Sequence, residues 1–451
     1  MTKIHVRHKF REHYLSPIVT IHVPAGILNL FEIMQRFAGS WIFLLVVVLV
    51  DWYVFQALKS VAYNWAPRTR WTVYALYWSV SVMALGLILS LTYTSYETWH
   101  RLLRTYVFAT ITGLFLAKIL ASMFFLVDDV RRLFQWIAGL VLPEIRPATA
   151  GGNGGITRSV FLSWMGLVTG GSLFGTLLYG FGNKYRYQLK KVLLNDAGIP
   201  EAFKGFRIIH ISDIHSGSFT DRAAVQRGID LINRQQPDLI VFTGDLVNYA
   251  AEEMEEYVAM FRTLNARCGV YATLGNHDYG FPRGNSREAV REAQLRNAEA
   301  VKEMHRRLGW KTLSNTHDLI EVNGQQIALL GVDNISAKAN FPSFGNLQAA
   351  YAGTAHVPFK ILLSHDPSHW NAEVTSRFTD INLTLSGHTH GMQFGVEVPG
   401  FRWSPVKYVY RQWAGLYEEG NQKLYVNRGF GFIGYPGRVG ILPEVTLIEL
   451  A

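Results

Sequence analysis

Residues 385–391, LSGHTHG, set His388 and His390 one residue apart behind an apolar run that ends in glycine. Imidazoles are poor occupants of a buried strand tip and good metal ligands, and an i, i+2 pair on a loop suits two neighbouring cations. Four other apolar runs end in polar residues of the same kind. Asp213 and His215 follow IIHIS, Asp245 follows LIVFTG, Asn276, His277 and Asp278 follow YATLG, and His365 follows ILLS. Each fragment alone has a plain reading: a turn cap at Asp213, a turn at Gly244-Asp245, hydrogen-bonded loop filler at 276–278, a satisfied histidine at His365. All five in this order, each at a strand end, point to one crevice, because the carboxyl ends of strands in an open α/β sheet gather ligands there.

Such a donor set suits hydrolysis at phosphorus. Two cations ~3.5–4 Å apart can hold both the attacking and the departing oxygen of an in-line displacement, and they make bound water more acidic. A carboxylate bridges two cations readily, which fits Asp245, while histidines and Asn276 fill the shells without adding charge that repels an anionic substrate. Donors without thiolate suit two divalent ions among Mn²⁺, Fe and Zn²⁺, with Mn²⁺ favoured. His277 need not ligate and could instead protonate a leaving oxygen.

The elements that must position these residues alternate strand and helix from residue 206 onward. Strands are expected at FRIIHIS, DLIVFTGD, GVYATLGNHD, 326–332, 359–364, 380–385, 423–428 and 445–450. Helical spacing covers 221–235, with Asp221 as N-cap, then an acidic stretch at 252–265 and a long charged one at 286–308. The alternation implies a layered α/β domain.

Ahead of it, charges are sparse and apolar runs long. Four segments, about 37–58, 71–93, 106–127 and 159–182, have the roughly 20 apolar residues a helix needs to cross a bilayer. Asp51 and Lys118 lie inside two of them and must face other helices, water or the interface. The ten-residue run LFQWIAGLVL at 133–142 is too short to span and reads as an interfacial helix. Residues 1–36 form a basic N-terminal segment and 183–204 a juxtamembrane linker carrying Lys184, Arg186, Lys190 and Lys191. The Lys/Arg distribution favours a cytoplasmic N-terminus and, after four spans, a cytoplasmic C-terminal domain on a multi-pass inner-membrane protein. TRSVFLSWMG, with the single arginine Arg158, leaves export as the alternative.

The motifs SDIH, TGD, LGNHD, LLSH and SGHTHG together resemble the ordered set of the calcineurin-like metallophosphoesterases, across residues 205–451. The resemblance implies a four-layer α/β/β/α sandwich preceded here by an all-α transmembrane region. It assigns one metal to Asp213, His215, Asp245 and His390, and the other to Asp245, Asn276, His365 and His388, with Asp245 bridging. It makes His277 the proton donor, oriented by Asp278. The tail LYVNRGFGFIGYPGRVGILPEVTLIEL and the four-helix N-terminus look like a membrane-associated, YkuE/YaeI-like branch. Some members of that branch cleave the pyrophosphate of UDP-2,3-diacylglucosamine, which makes a lipid-linked substrate, and a place in lipid A biosynthesis, an expectation from kinship.

The net charge of +9 comes without a dense Lys/Arg block, so it is read as juxtamembrane charge and no nucleic-acid partner is expected. The single cysteine, Cys268, excludes an intrachain disulfide framework. The aromatic stretch 394–417 is either a loop packed on the sandwich or a lid touching membrane. Arg402, Lys407, Arg411, Arg428 and Arg438 are candidate phosphate contacts, and His210, His317, His356 and His369 are expected to be structural. Two rivals stand beside a lipid-directed hydrolase: a hydrolase of a soluble or exported substrate, and a metal-binding membrane sensor without turnover.

Overall fold

A computed structural model describes residues 25–90, 101–141, 158–282, 284, 286–338 and 341–451. Most of the basic N-terminal segment lies outside them. The chain divides into two compact units, Met1–Trp99 with Ile111–Phe174, and His100–Thr110 with Gly175–Ala451.

Four helices make the membrane region: α1 (Ala25–Val61), α2 (Pro67–Ser90), α3 (Arg101–Val141) and α4 (Arg158–Gly180). Each contains a run long and apolar enough to cross a bilayer, at Ile42–Val61, Pro67–Ser90, Thr105–Leu140 and Arg158–Gly180. In lipid a helix satisfies every backbone group internally, and Pro67 sits at the first helical position, where its missing N–H costs nothing. The run 133–142 is not a separate interfacial helix. Its described residues, 133–141, continue α3, whose 41 residues form one helix. Asp128 makes i, i+3 and i, i+4 ion pairs to Arg131 and Arg132, so the charged stretch between the two apolar runs stays helical.

The two charges inside spans find each other. Lys118 Nζ lies 2.5 Å from Asp51 Oδ1 and 3.0 Å from Ser81 Oγ, all three buried, which ties α1, α2 and α3 together. On α4, a side chain at Gly166 would collide with Phe125 and Ala121, and one at Gly170 with the Ala117 carbonyl. Small residues four apart let α3 and α4 approach closely, the usual basis of helix contact in a bilayer.

The second unit is the expected sandwich. One six-stranded sheet contains β1 (Gln188–Leu194), β2 (Arg207–Ile211), β3 (Leu239–Phe242), β4 (Val270–Ala272) and β5 (Lys311–Thr312). The other contains β6 (Thr316–Val322), β7 (Gln325–Gly331), β8 (Lys360–Leu363) and β9 (Leu383–Ser386). A separate ribbon is formed by β10 (Val396–Val398) and β11 (Phe401–Trp403). The chain then adds β12 (Gly415–Glu419) and β13 (Gln422–Val426) to the second sheet and β14 (Glu444–Leu450) to the first. The sheet orders are β1-β14-β2-β3-β4-β5 and β12-β13-β9-β8-β7-β6.

Three buried clusters separate four layers. One lies between the first sheet and helices α5 (Arg222–Asn233), α6 (Val258–Phe261) and α7 (Arg287–Leu308). The second lies between the sheets, and the third covers the outer face of the second sheet. Asp221 caps α5 as expected, its carboxylate accepting from Ala224 N at 3.0 Å. Two expectations change. The acidic stretch at 252–265 forms a 3-10 turn, Ala251–Tyr257, followed by the four-residue α6. The presumed linker contains β1, which pairs in parallel with β14 from Gln188↔Glu444 to Leu194↔Leu450, so the sheet begins almost where α4 ends.

Candidate metal centre

The parallel strands β2, β3 and β4 end together, and so do β8 and β9 in the facing sheet. Each therefore delivers its trailing loop to one end of the sandwich. Glycines let those loops come close. A side chain at Gly387 would collide with Ser212 and Asp213, and one at Gly275 with Asp245. The backbone turns sharply as each strand ends: Asp213, His215, Asp245, His388 and His390 have φ between 48° and 70°. Left-handed backbone at a residue with a side chain costs on the order of 1–3 kcal/mol and persists only where its surroundings enforce it. Here neighbouring loops lock one another. Asp213 accepts from His388 N at 3.0–3.1 Å, and Asp245 Oδ1 accepts from His277 N at 2.8 Å.

Two groups of donors result, Asp213, His215 and His390, and Asp245, His365 and His388. In the first, His390 Nε2 is 3.2 Å from Asp213 Oδ1 and 3.1 Å from His215 Nε2. In the second, His365 Nε2 is 3.2 Å from Asp245 Oδ2 and 3.2 Å from Asn276 Oδ1, while His388 Nδ1 is 2.7 Å from the same amide oxygen. Asp245 Oδ2 also lies 3.6 Å from His215 Nε2, so that one carboxylate stands between the groups.

This crowding has a direct meaning. His365 Nδ1 donates to the Thr243 carbonyl at 2.8 Å and His215 Nδ1 to the Val247 carbonyl at 3.2 Å. In the neutral rings each Nε2 is then a lone pair, and each faces the Asp245 carboxylate, His365 at 3.2 Å and His215 at 3.6 Å. Only a cation or an added proton reconciles lone pairs held this close. Burial opposes charge on Asp213 and Asp245, yet the surrounding histidines hold both carboxyls well below the usual range. Burial likewise opposes charge on His365, but Asp245 outweighs it and raises the imidazole to about 10. Burial keeps His215, His388 and His390 below their ordinary value, hence neutral and able to ligate. The residues therefore fit a pair of divalent ions.

His277 is half-buried on the wall of an adjoining cavity of about 220 Å³. Its Nδ1 donates to the Asn248 carbonyl at 2.8 Å, which leaves Nε2 for the cavity. Asp278, expected to orient it, does other work. Its carboxylate accepts from the backbone N–H of Asp245 and Leu246 at 2.8 Å and of Gly275 at 2.9 Å, pinning the loop that carries Asp245. Burial, and next the Asp245 carboxylate, push Asp278 up to about 7.

Tyr410 is the site residue that sequence reasoning missed. Its hydroxyl lies 2.8 Å from His388 Nε2 and 3.4 Å from Asp366 Oδ2, so it fixes the ring whose other nitrogen faces the second donor group. The density of aromatics in 394–417 was its one signal. Two candidate phosphate contacts are already engaged within the protein, and Arg438 is engaged beside the centre itself, its guanidinium 3.2 Å from His390 Nδ1. Arg428 is buried between Glu444 and Glu397, at 2.5 and 2.7 Å, and Arg438 is buried against the carbonyls of Arg428, Gly429, Gly431 and His390. Arg402, Lys407 and Arg411 are all exposed, Arg402 also donating to the Ala414 carbonyl. Outside the centre, His210 bonds Thr243, His317 the Ala350 carbonyl, and His369 Ser364 and Glu373, while His356 is exposed.

Two family models and several curated relatives match the chain. Residues 35–183 match the family described as probable calcineurin-like phosphoesterase, transmembrane domain, and residues 206–392 match calcineurin-like phosphoesterase. The uncharacterized metallophosphoesterase YkuE of Bacillus subtilis is 30% identical over 306 residues, which cover 65% of this chain and 98% of that one. The phosphodiesterase YaeI of Escherichia coli is 28% identical, over 54% of this chain and 82% of its own. A transmembrane protein with metallophosphoesterase domain from Danio rerio is 29% identical over 56% of this chain, which spans about half of that relative, 54%. The chain belongs to the calcineurin-like metallophosphoesterases, in a membrane-associated branch that joins the catalytic-type sandwich to a four-helix transmembrane domain.

Proposed function

We propose that this protein is a membrane-anchored two-metal phosphoesterase that hydrolyses a phosphodiester or pyrophosphate bond. One observation carries the reading: the Asp245 carboxylate stands between two clusters of lone-pair donors, each composed for a divalent ion. Asp213, His215, Asp245 and His390 would hold one ion, and Asp245, Asn276, His365 and His388 the other. Bound there, the ions supply positive charge to the phosphate and acidify water. The chain's own groups do the remaining work. Neutral imidazoles and an amide keep the negative charge of the donor set to two carboxylates, so an anionic substrate is not repelled. His277 offers Nε2 to the departing oxygen and hands it a proton. Phe341, Val406 and Tyr410 wall the cavity and limit water around the reacting bond.

Attachment through four spans supports a lipid-linked ester or pyrophosphate, of which UDP-2,3-diacylglucosamine is one example. The basic excess over N-in segments supports a cytoplasmic domain on the inner membrane. The test is turnover by the detergent-purified protein, with Mn²⁺, of a panel of soluble phosphodiesters and lipid-linked pyrophosphates. Two bound ions without turnover of any member would leave the sensor reading and overturn this one. A fluorescent reporter fused after Ala451 that lights only in the cytosol decides the side, and signal solely from an export-dependent reporter would reverse it.

A further inference from the structure

The ribbon β10–β11 is inside out. Its register pairs Val396 with Trp403, Glu397 with Arg402 and Val398 with Phe401, so one face is Val396, Val398, Phe401 and Trp403. In a soluble antiparallel ribbon that apolar face turns inward and the polar one meets water. Here the polar face is tethered to the domain, Glu397 to Arg428 at 2.7 Å and Arg402, though exposed, to the Ala414 carbonyl. The apolar face is left outside, with Val398 53% and Phe401 57% exposed. The turn that follows adds Tyr408 and Val409, 74% and 59% exposed, beside the exposed cations Lys407 and Arg411.

Within the same compact unit this surface adjoins the end of a membrane helix. Tyr435 donates to the Leu177 carbonyl and Arg438 N to the Gly180 carbonyl, on the last turns of α4. The segment that grips the helix end also carries the ribbon: Gly395 N donates to Val439 O, and Gln393 bonds the backbone of Ile433 and Tyr435. Ile433, Val406 and Tyr410 in turn line the metal-centre cavity. One segment, 433–439, thus holds the helix end and the ribbon and lends Ile433 to the cavity lining.

We infer that the ribbon and the turn at 405–409 insert their apolar side chains into the bilayer that holds α4, and that the cavity mouth accordingly takes phosphoesters carried on membrane lipids. An exposed apolar patch rimmed by lysine and arginine suits the boundary between acyl chains and anionic headgroups. The substrate clause rests on the phosphoesterase reading; the insertion clause does not.

Both clauses are tested with the full chain in vesicles of phosphatidylcholine and a minority of phosphatidylglycerol. In a Cys268→Ser background, an environment-sensitive fluorophore is attached through Val398→Cys or, as control, through Glu321→Cys on β6. The label at 398 is expected to be quenched by doxyl-labelled lipid and shielded from aqueous iodide, and the label at 321 to behave oppositely. Iodide access at 398 equal to that at 321 overturns insertion. The second measurement compares bis(p-nitrophenyl) phosphate with phosphatidyl-p-nitrophenol, each hydrolysed at phosphorus to release p-nitrophenol. Val398→Asp with Phe401→Asp should leave turnover of the soluble diester unchanged and lower the lipid-borne rate roughly tenfold or more, the worth of removing one or two apolar side chains from lipid. Phe401→Leu should retain the lipid-borne rate. Equal loss on both substrates overturns the lipid clause. If the unaltered protein hydrolyses neither diester, the phosphoesterase reading falls and the quenching result still decides insertion.

Discussion

Both halves of the molecule bury charge, and they do so in opposite ways. In the membrane region Lys118 meets Asp51 and Ser81, so the base is satisfied by an acid and a hydroxyl. In the sandwich Asp213 and Asp245 meet neutral or competing nitrogens, and lone pair faces lone pair. The first arrangement is closed and asks for nothing. The second is complete only with something positive in it. Burial of polar groups therefore marks function less than their mutual satisfaction does: both groups are deeply buried, and only one is short of a partner.

The sharpest way to break this contrast is at its centre. Asp245→Ala should lose both ions and drop hydrolysis to background, whereas His390→Ala should mainly weaken one ion; elemental analysis of the purified variants checks it. Two ions retained in Asp245→Ala would place the bridge elsewhere. Next is His277→Ala, which should keep its metal and lose roughly 10²–10⁴-fold in rate, the usual worth of a general acid. An aryl leaving group that needs little protonation should lose less, and equal losses would make His277 a substrate-positioning residue.

The membrane pair gives the complementary test. Asp51→Ala leaves Lys118 buried without its partner and should destabilise the protein by about 3–5 kcal/mol, while replacing both residues with leucine should be near neutral. Unfolding in detergent micelles measures both, and hydrolysis of a soluble diester by the folded fraction should not change. Loss of that activity in the double variant would show that the pair does more than join helices. The smallest effect belongs to Tyr410→Phe, which removes the hydroxyl that fixes His388. It should weaken metal binding by roughly 10–100-fold, the usual cost of losing a partner that orients a ligand. Restoring activity with excess Mn²⁺ would confirm that the hydroxyl acts through the ligand.

What the sequence made legible follows the same logic. Asp213, His215, Asp245, Asn276, His365, His388 and His390 could be read because each sits directly after an apolar run, and strand ends are where a parallel sheet delivers its loops. The orienting partner of His277 could not, because Asn248 acts through its carbonyl and a backbone atom has no residue type. The strand β1 was hidden by its two lysines, Lys190 and Lys191, which after a membrane span read as juxtamembrane charge. The ribbon resisted for a related reason. Its alternation is present, but its polar face is tethered to the domain through Glu397 while its apolar residues Val396, Val398 and Phe401 are exposed. Tyr410 lies on no periodic element, and its reach to His388 depends on how the whole segment is laid across the sandwich.

The pairing of β1 with β14 has a consequence for biosynthesis. β1 leaves the ribosome soon after the fourth span, yet its partner strand is made only after both sheets' other members have been translated. Until then β1 has no neighbour in the sheet, and β2 lacks β14 on one side. Unpaired strand edges on a growing chain invite pairing with other chains, and contacts between distant segments form slowly. Anchorage by four helices confines each nascent domain to its own patch of membrane while it waits. A nonsense or frameshift lesion that removes only the final strand would leave every candidate metal ligand in place and still deprive the first sheet of its connection between β1 and β2.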